Sequence, residues 1–171
     1  MNDDGLHPGH HSIRLPGADY TRAGLYFLTI CSFERSCIFA ETCEAQARLK
    51  PVGFLIQACW FEILKHFRMV HPQEFIVMPN HFHGIVQIGC QQGRGDAAPL
   101  QRSPLSTIVR SFKSAVTKRA HQELRFDGEV WQRRYFERII RPGQELEIAR
   151  AYILENPRKW EWDRENPHRR S

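Results

Sequence analysis

The chain has 171 residues, 42% of them hydrophobic, and a formal net charge of +5. That length suits one ordinary domain with a real core, and the positive balance points weakly to an anionic partner. Residues 1–11 are polar and lack the apolar stretch of a secretion signal, and no apolar run exceeds strand length, so neither export nor a membrane span is expected. The five cysteines are odd in number and form no close CxxC pair, which reads as reduced thiols in a cytosolic protein.

Residues 1–23 are rich in Gly, His and Arg and are expected to be half ordered. Residues 25–31, Leu-Tyr-Phe-Leu-Thr-Ile-Cys, combine aromatic and β-branched types and read as a buried strand. Residues 32–50 form a mixed connection, with a helix starting as early as Cys43. Apolar residues at Phe54, Leu55, Ala58, Cys59, Phe61, Ile63 and Leu64 follow helical spacing over 52–67, and Pro51 suits the first turn. A second strand is expected at 75–78 and a turn at Met78-Pro79-Asn80, because Pro79 lacks a donor and restricts its neighbour. A third strand at 83–88 begins at or just before His81 and completes an antiparallel hairpin.

Residues 90–102 read as a flexible surface loop. Ser103 and Pro104 are a cap and first position for a helix with Leu105, Ile108, Val109, Phe112, Ala115 and Val116 on its apolar face. Residues 125–129 are a turn, 130–140 contain a strand, and Pro142-Gly143 turns the chain into a helix over 144–155 that Asn156-Pro157 ends. The order β-α-β-β-α-β-α fits an α+β fold: a ferredoxin-like antiparallel sheet with helices on one face and an extra C-terminal helix.

Strand residues alternate faces and rise about 3.3 Å each, so His81 and His83 share a face about 6.6 Å apart at the backbone. Their imidazoles can converge on one ion while Phe82 points the other way. Imidazole suits Mn²⁺, Zn²⁺ and Co²⁺, and Mg²⁺ less comfortably, and two protein ligands leave positions open for phosphate oxygens. Asn80, next to the pair, is placed to orient a histidine or touch nucleic acid. The plainer reading is two half-exposed histidines at a sheet edge.

Tyr152 and Asn156 are four apart and share a helix face. Together they offer a phenol nucleophile and an amide oxygen. A phenol is a poor nucleophile near neutral pH, and a nearby metal or arginine favours its phenolate. The plainer reading packs the Tyr152 ring in the core and makes Asn156 a helix stop. Cations gather at Arg133, Arg134, Arg138 and Arg141 around the last strand and at Arg110, Lys113, Lys118 and Arg119 on a helix. The tail adds Arg158, Lys159, Arg164, Arg169 and Arg170. Such side chains hold a phosphate backbone without reading sequence. Trp131 is expected in the core, whereas Trp160 and Trp162 are candidates to stack on unpaired bases.

These landmarks, taken in order, resemble the REP-associated tyrosine transposases, relatives of the single-tyrosine HUH transposases of small insertion sequences. The matching segments are Tyr26-Phe27-Leu28-Thr29, residues 77–85 (Val-Met-Pro-Asn-His-Phe-His-Gly-Ile), 130–136 (Val-Trp-Gln-Arg-Arg-Tyr-Phe), Ile139-Ile140-Arg141 and 151–157 (Ala-Tyr-Ile-Leu-Glu-Asn-Pro). The resemblance covers residues 13–160 as one HUH-type domain, with 1–12 and 161–171 as flexible polar and basic tails. It implies that His81 and His83 hold Mg²⁺ or Mn²⁺, that Asn156 is the third ligand, and that Tyr152 forms a 5′-phosphotyrosine and leaves a free 3′-hydroxyl. The implied substrate is hairpin-bearing single-stranded DNA, handled in the cytoplasm at the nucleoid by a homodimer or a monomer. Many relatives carry histidine where this chain has Arg138. The alternative is a non-cleaving DNA-binding regulator on the same scaffold. A replication initiator or relaxase uses similar chemistry but carries larger ligand sets and often a helicase domain, which are missing here.

Overall fold

A computed structural model describes residues 23–67, 69–89 and 105–169 of the protein. The expectations for residues 1–22, for the loop at 90–102 and for the Ser103-Pro104 cap lie outside these residues.

Among the described residues six strands and three α-helices follow one another as β1 (Gly24–Cys31), β2 (Ala40–Cys43), β3 (Gln46–Leu49), α1 (Pro51–His66), β4 (Val70–Val77), β5 (His81–Ile88), α2 (Leu105–Leu124), β6 (Phe136–Ile140) and α3 (Gln144–Glu155). The main sheet has the order β4-β5-β1-β6, and every pairing in it is antiparallel. Central β1 is buried on both faces. Its even residues Tyr26, Leu28 and Ile30 join Phe82, Trp60 and Phe112 in a large core beneath α1 and α2. Its odd residues Leu25 and Phe27 join Ile85, Ala149, Tyr152 and Ile153 in a second core beneath α3. The expected ferredoxin-like sheet is therefore present, with α1 and α2 on one face and α3 on the other.

Local chemistry explains the turns that place the site. Pro51 occupies the start of α1, where its missing N–H costs nothing. Gly53 lies against the residue that precedes β2 so closely that a Cβ there would stand 2.1 Å from the Phe39 carbonyl oxygen. Gly84 leaves room for the Phe82 and Trp60 rings, whose centroids are 4.9 Å apart. Strand β4 starts at Val70, five residues before the expected strand. Pro72 is tolerated because β4 is an edge strand with an irregular register between Pro72 and Phe75.

Residues 32–50 depart further from expectation. They fold as the β2–β3 hairpin rather than an early helix, turning at Glu44 and Ala45, both with positive φ (50° and 61°). A two-residue hairpin turn favours Asn and Gly at such positions, so Glu-Ala gave no signal. Within 130–140 the strand is confined to Phe136–Ile140, and Trp131 instead bridges to Ser32 and is buried, as expected of a core residue. After α3 the chain tightens into a 3-10 turn, Asn156–Trp162. It then folds back so that Asp163, Glu165 and Asn166 are buried. The segment read as a polar tail is packed into the protein as far as those residues.

Among the described residues the four cysteines, Cys31, Cys37, Cys43 and Cys59, are unbridged. No helix among them is long and apolar enough to cross a membrane.

Candidate functional site

Strand β5 carries His81 and His83 toward α3 and sends Phe82 into the opposite core, as the alternation requires. The imidazole centroids lie 4.5 Å apart, and both rings are almost completely buried. Ala149, Tyr152 and Ile153 on α3, and Asn156 at its C-terminal cap, fall at helical spacing on the buried side. The Tyr152 ring meets His83 at 5.2 Å and Phe27 edge-on at 5.8 Å. Its hydroxyl is 3.5 Å from His83 Nε2, a long contact rather than a strong hydrogen bond.

Neighbours fix how each imidazole presents itself. In the β1–β5 register Thr29 stands opposite His83, and its Oγ1 is 2.9 Å from His83 Nδ1. His81 Nδ1 is 3.0 Å from Asn80 Oδ1. Asn80 is oriented by its amide group, which donates to the Arg35 carbonyl at 3.0 Å and the Glu165 carbonyl at 2.6 Å. Its oxygen can therefore only accept, so His81 must donate from Nδ1 and keep a bare lone pair on Nε2. Burial, assisted by the positive charge of Arg35 and resisted by Asn156, pushes His81 down to about 3, so it stays neutral near pH 7. A neutral ring with one nitrogen anchored and the other bare is the form that binds metal.

Asn156 lies close enough to His81 to favour a proton on its ring, yet His81 Nε2 and Asn156 Oδ1 are both buried without a hydrogen bond of good geometry among the described residues. Two orphaned acceptors at one site are costly unless something positive meets them. The donor set, imidazole with amide oxygen, suits a divalent ion of moderate hardness. Among the described residues no three His, Cys, Asp or Glu side chains converge into a ready-made ion cage. Any ion here depends on the amide as well as the imidazoles.

The cationic candidates divide. Arg110, Arg133, Arg134, Arg141 and Arg158 are exposed, and Arg138 is half-buried on β6 opposite Phe27. Lys159 is exposed and pairs with Glu155 at 2.8 Å. Lys113, expected to hold phosphate, turns inward and donates to the carbonyls of Gln132 at 2.6 Å and Arg133 at 3.2 Å. Trp160, expected as an exposed stacking surface, is instead buried with its ring 5.9 Å from His81; Trp162 is the exposed one. Sequence reading missed Thr29, Arg35, Asp163 and Glu165. Arg35 pairs with Glu165 at 2.6 Å, and the Cys31 thiol lies 3.5 Å from the same Glu165 oxygen. Burial and that carboxylate hold Cys31 protonated, its pKa raised.

No protein-family model matches the sequence. A protein of Haemophilus influenzae, described only as uncharacterized, is 38% identical over 168 residues, spanning 90% of this chain and 92% of that protein. The chain belongs to its family. Among solved structures, a REP-associated tyrosine transposase bound to a REP hairpin superposes with a TM-score of 0.58 at 20% identity, covering 85% of this chain and 73% of that one. This chain has the fold of the REP-associated tyrosine transposases. A putative transposase of Deinococcus radiodurans aligns at a TM-score of 0.49 and 14% identity over 81% of this chain and 95% of that one.

Proposed function

We propose that the protein cuts and rejoins single-stranded DNA at hairpin sequences through a covalent bond to Tyr152, with Mg²⁺ or Mn²⁺ held by His81, His83 and Asn156. One observation carries the reading. The Tyr152 hydroxyl stands beside His83 Nε2, in a buried cluster where His81 Nε2 and Asn156 Oδ1 make no hydrogen bond of good geometry among the described residues. The structure that shares this fold was solved with a REP hairpin, which supports a hairpin-bearing DNA substrate.

In this reading the Tyr152 oxygen attacks the scissile phosphorus in line with the departing 3′ oxygen. The P–O3′ bond breaks as the tyrosine–phosphorus bond forms. The phenolic proton passes through solvent to the departing oxygen, giving a 3′-hydroxyl and a 5′-phosphotyrosine. The reverse attack by a 3′-hydroxyl rejoins strands. A divalent ion, when bound, supplies charge withdrawal from the phosphate and favours the phenolate. Phe27 meets the ring edge-on and restricts where the hydroxyl can point. The exposed cations Arg133, Arg134 and Arg141, with Arg110 and Arg158, would track the phosphate backbone.

A second reading, a non-cleaving DNA-binding protein, draws on the burial of the site: His81, His83, Tyr152 and Asn156 are each less than a tenth exposed. Single-stranded hairpin DNA labelled at either end and incubated with Mn²⁺ separates the two. Cleavage is expected to leave a 3′-hydroxyl on one fragment and protein on the other. His83→Ala should abolish cleavage while hairpin binding persists. Hairpin binding without cleavage supports the second reading, and undiminished cleavage by the variant removes His83 from the chemistry.

A further inference from the structure

We infer that Asp163 is a further ligand to the ion at His81, supplied by the segment that folds back after the tyrosine helix. The inference rests on the metal reading above and extends its ligand set by a carboxylate.

The geometry begins with two lone pairs facing each other. His81 Nε2 is bare because Nδ1 carries the proton that Asn80 accepts. Asp163 Oδ2 lies 3.9 Å from that nitrogen, with the two side chains 0% and 5% exposed. Among the described residues no lysine or arginine lies within ion-pair distance of Asp163. Two acceptors buried face to face repel unless a cation mediates between them. A shared proton does not account for the spacing, because an N–H···O bond spans about 2.7–3.2 Å. An ion between them comes nearer: with metal–ligand bonds of about 2.0–2.2 Å, two donors on the same ion stand about 3.0–3.4 Å apart when adjacent and up to about 4.3 Å when opposite, so 3.9 Å asks for a movement of only about half an ångström.

The carboxylate is also built into place. Its other oxygen, Oδ1, accepts the Glu165 backbone N–H at 2.8 Å, which aims Oδ2 at His81. The Asp163 N–H donates to the Trp160 carbonyl at 3.1 Å, and the Trp160 ring closes the side of His81. The neighbouring acid, Glu165, is already paired with Arg35, so its charge is spent elsewhere. The Glu165 carbonyl meanwhile accepts from Asn80 and thereby sets the His81 tautomer. One short segment thus supplies both an oxygen toward the ion and the anchor of the facing imidazole. His81, His83 and Asp163 do not converge as a finished three-sided cage in this arrangement; a carboxylate drawn onto the ion would make the site harder and more anionic, favouring Mn²⁺ and Mg²⁺.

Asp163→Asn is a close test, because an amide Oδ1 still accepts the Glu165 N–H and the volume is unchanged. Free Mn²⁺ is measured by electron paramagnetic resonance during titration of the full chain, alongside the melting temperature in EDTA. The unaltered protein is expected to bind one Mn²⁺, and the variant to bind it at least about tenfold more weakly with its metal-free melting intact. Equal affinity in both proteins overturns the inference and leaves the metal reading standing. A variant that melts earlier in EDTA yet binds Mn²⁺ equally makes Asp163 a structural partner of His81, and overturns it too. No Mn²⁺ binding by the unaltered protein sinks the metal reading itself. If the variant fails to fold, difference infrared spectroscopy of the unaltered protein reads the same interaction. A carboxylate band shifted by Mn²⁺ supports it, and an unshifted one refutes it.

Discussion

Asn80→Ala tests how firmly the protein prepares His81. Asn80 is fully buried and makes three hydrogen bonds: it accepts from His81 Nδ1 and donates to the carbonyls of Arg35 and Glu165. Alanine leaves the Glu165 carbonyl and the His81 Nδ1–H as buried orphans, while the Arg35 carbonyl lies nearer water. An orphaned buried group costs about 1–3 kcal/mol, so two cost about 2–4 kcal/mol after partial relaxation. For a protein of this size each kcal/mol moves the melting temperature by about 2–4 °C, so metal-free Asn80→Ala is expected to melt about 5–15 °C lower. Losing the anchor also lets the His81 proton move to Nε2, and Mn²⁺ affinity should fall about 10–100-fold, as when other outer partners of metal-binding histidines are removed. Thermal melting in EDTA and Mn²⁺ titration read the two effects separately. A variant that melts within about 2 °C of the parent and binds Mn²⁺ equally would refute the reasoning from the tautomer.

Burial holds His81 at about 3 in the fold, against 6.5 for the free side chain. Between those values the unfolded state takes up a proton that the folded state refuses, so metal-free stability falls as pH drops from about 6.5 toward 3. Urea unfolding at pH 6.5 and 5.5 should show the parent losing about 1 kcal/mol more than His81→Asn, and equal losses would exclude the imidazole as the cause. Gly84→Ala would place a Cβ 2.7 Å from Phe82 Cε1 and 3.0 Å from Trp60 Cζ2. It should cost about 1–3 kcal/mol in urea unfolding, and a neutral result would show that these rings have room to move. Replacing exposed Arg133 and Arg134 by Ala should weaken single-stranded DNA binding and reduce its salt slope by about 0.7 for each phosphate that the arginines no longer neutralise. An unchanged slope would take both off the DNA path.

Much of the site was legible because its residues obey local periodicities. His81 and His83 share a face because a strand alternates, and Tyr152 and Asn156 share one because a helix returns after four residues. The partners of those residues depend on distant register. Thr29 reaches His83 only because β1 pairs with β5 in one alignment, and 54 residues separate the two in sequence. Glu165 and Asp163 looked like solvated charges. Arg35, 130 positions before Glu165, neutralises one of them, and the chain reversal after Asn156 brings the other to His81. That reversal also hides Trp160, whose charged neighbours suggested exposure. The β2–β3 hairpin escaped notice because its turn residues, Glu44 and Ala45, adopt positive φ without the Asn or Gly that usually marks it.

The central claim is that Tyr152 becomes covalently joined to DNA. The protein would be incubated with single-stranded hairpin DNA and Mn²⁺, the adduct isolated under denaturing conditions, and its tryptic peptides weighed. Nucleotide mass is expected on the peptide Ala151-Tyr152-Ile153-Leu154-Glu155-Asn156-Pro157-Arg158, and no adduct is expected from Tyr152→Phe. An adduct on any other peptide, or one undiminished in the variant, would contradict the claim.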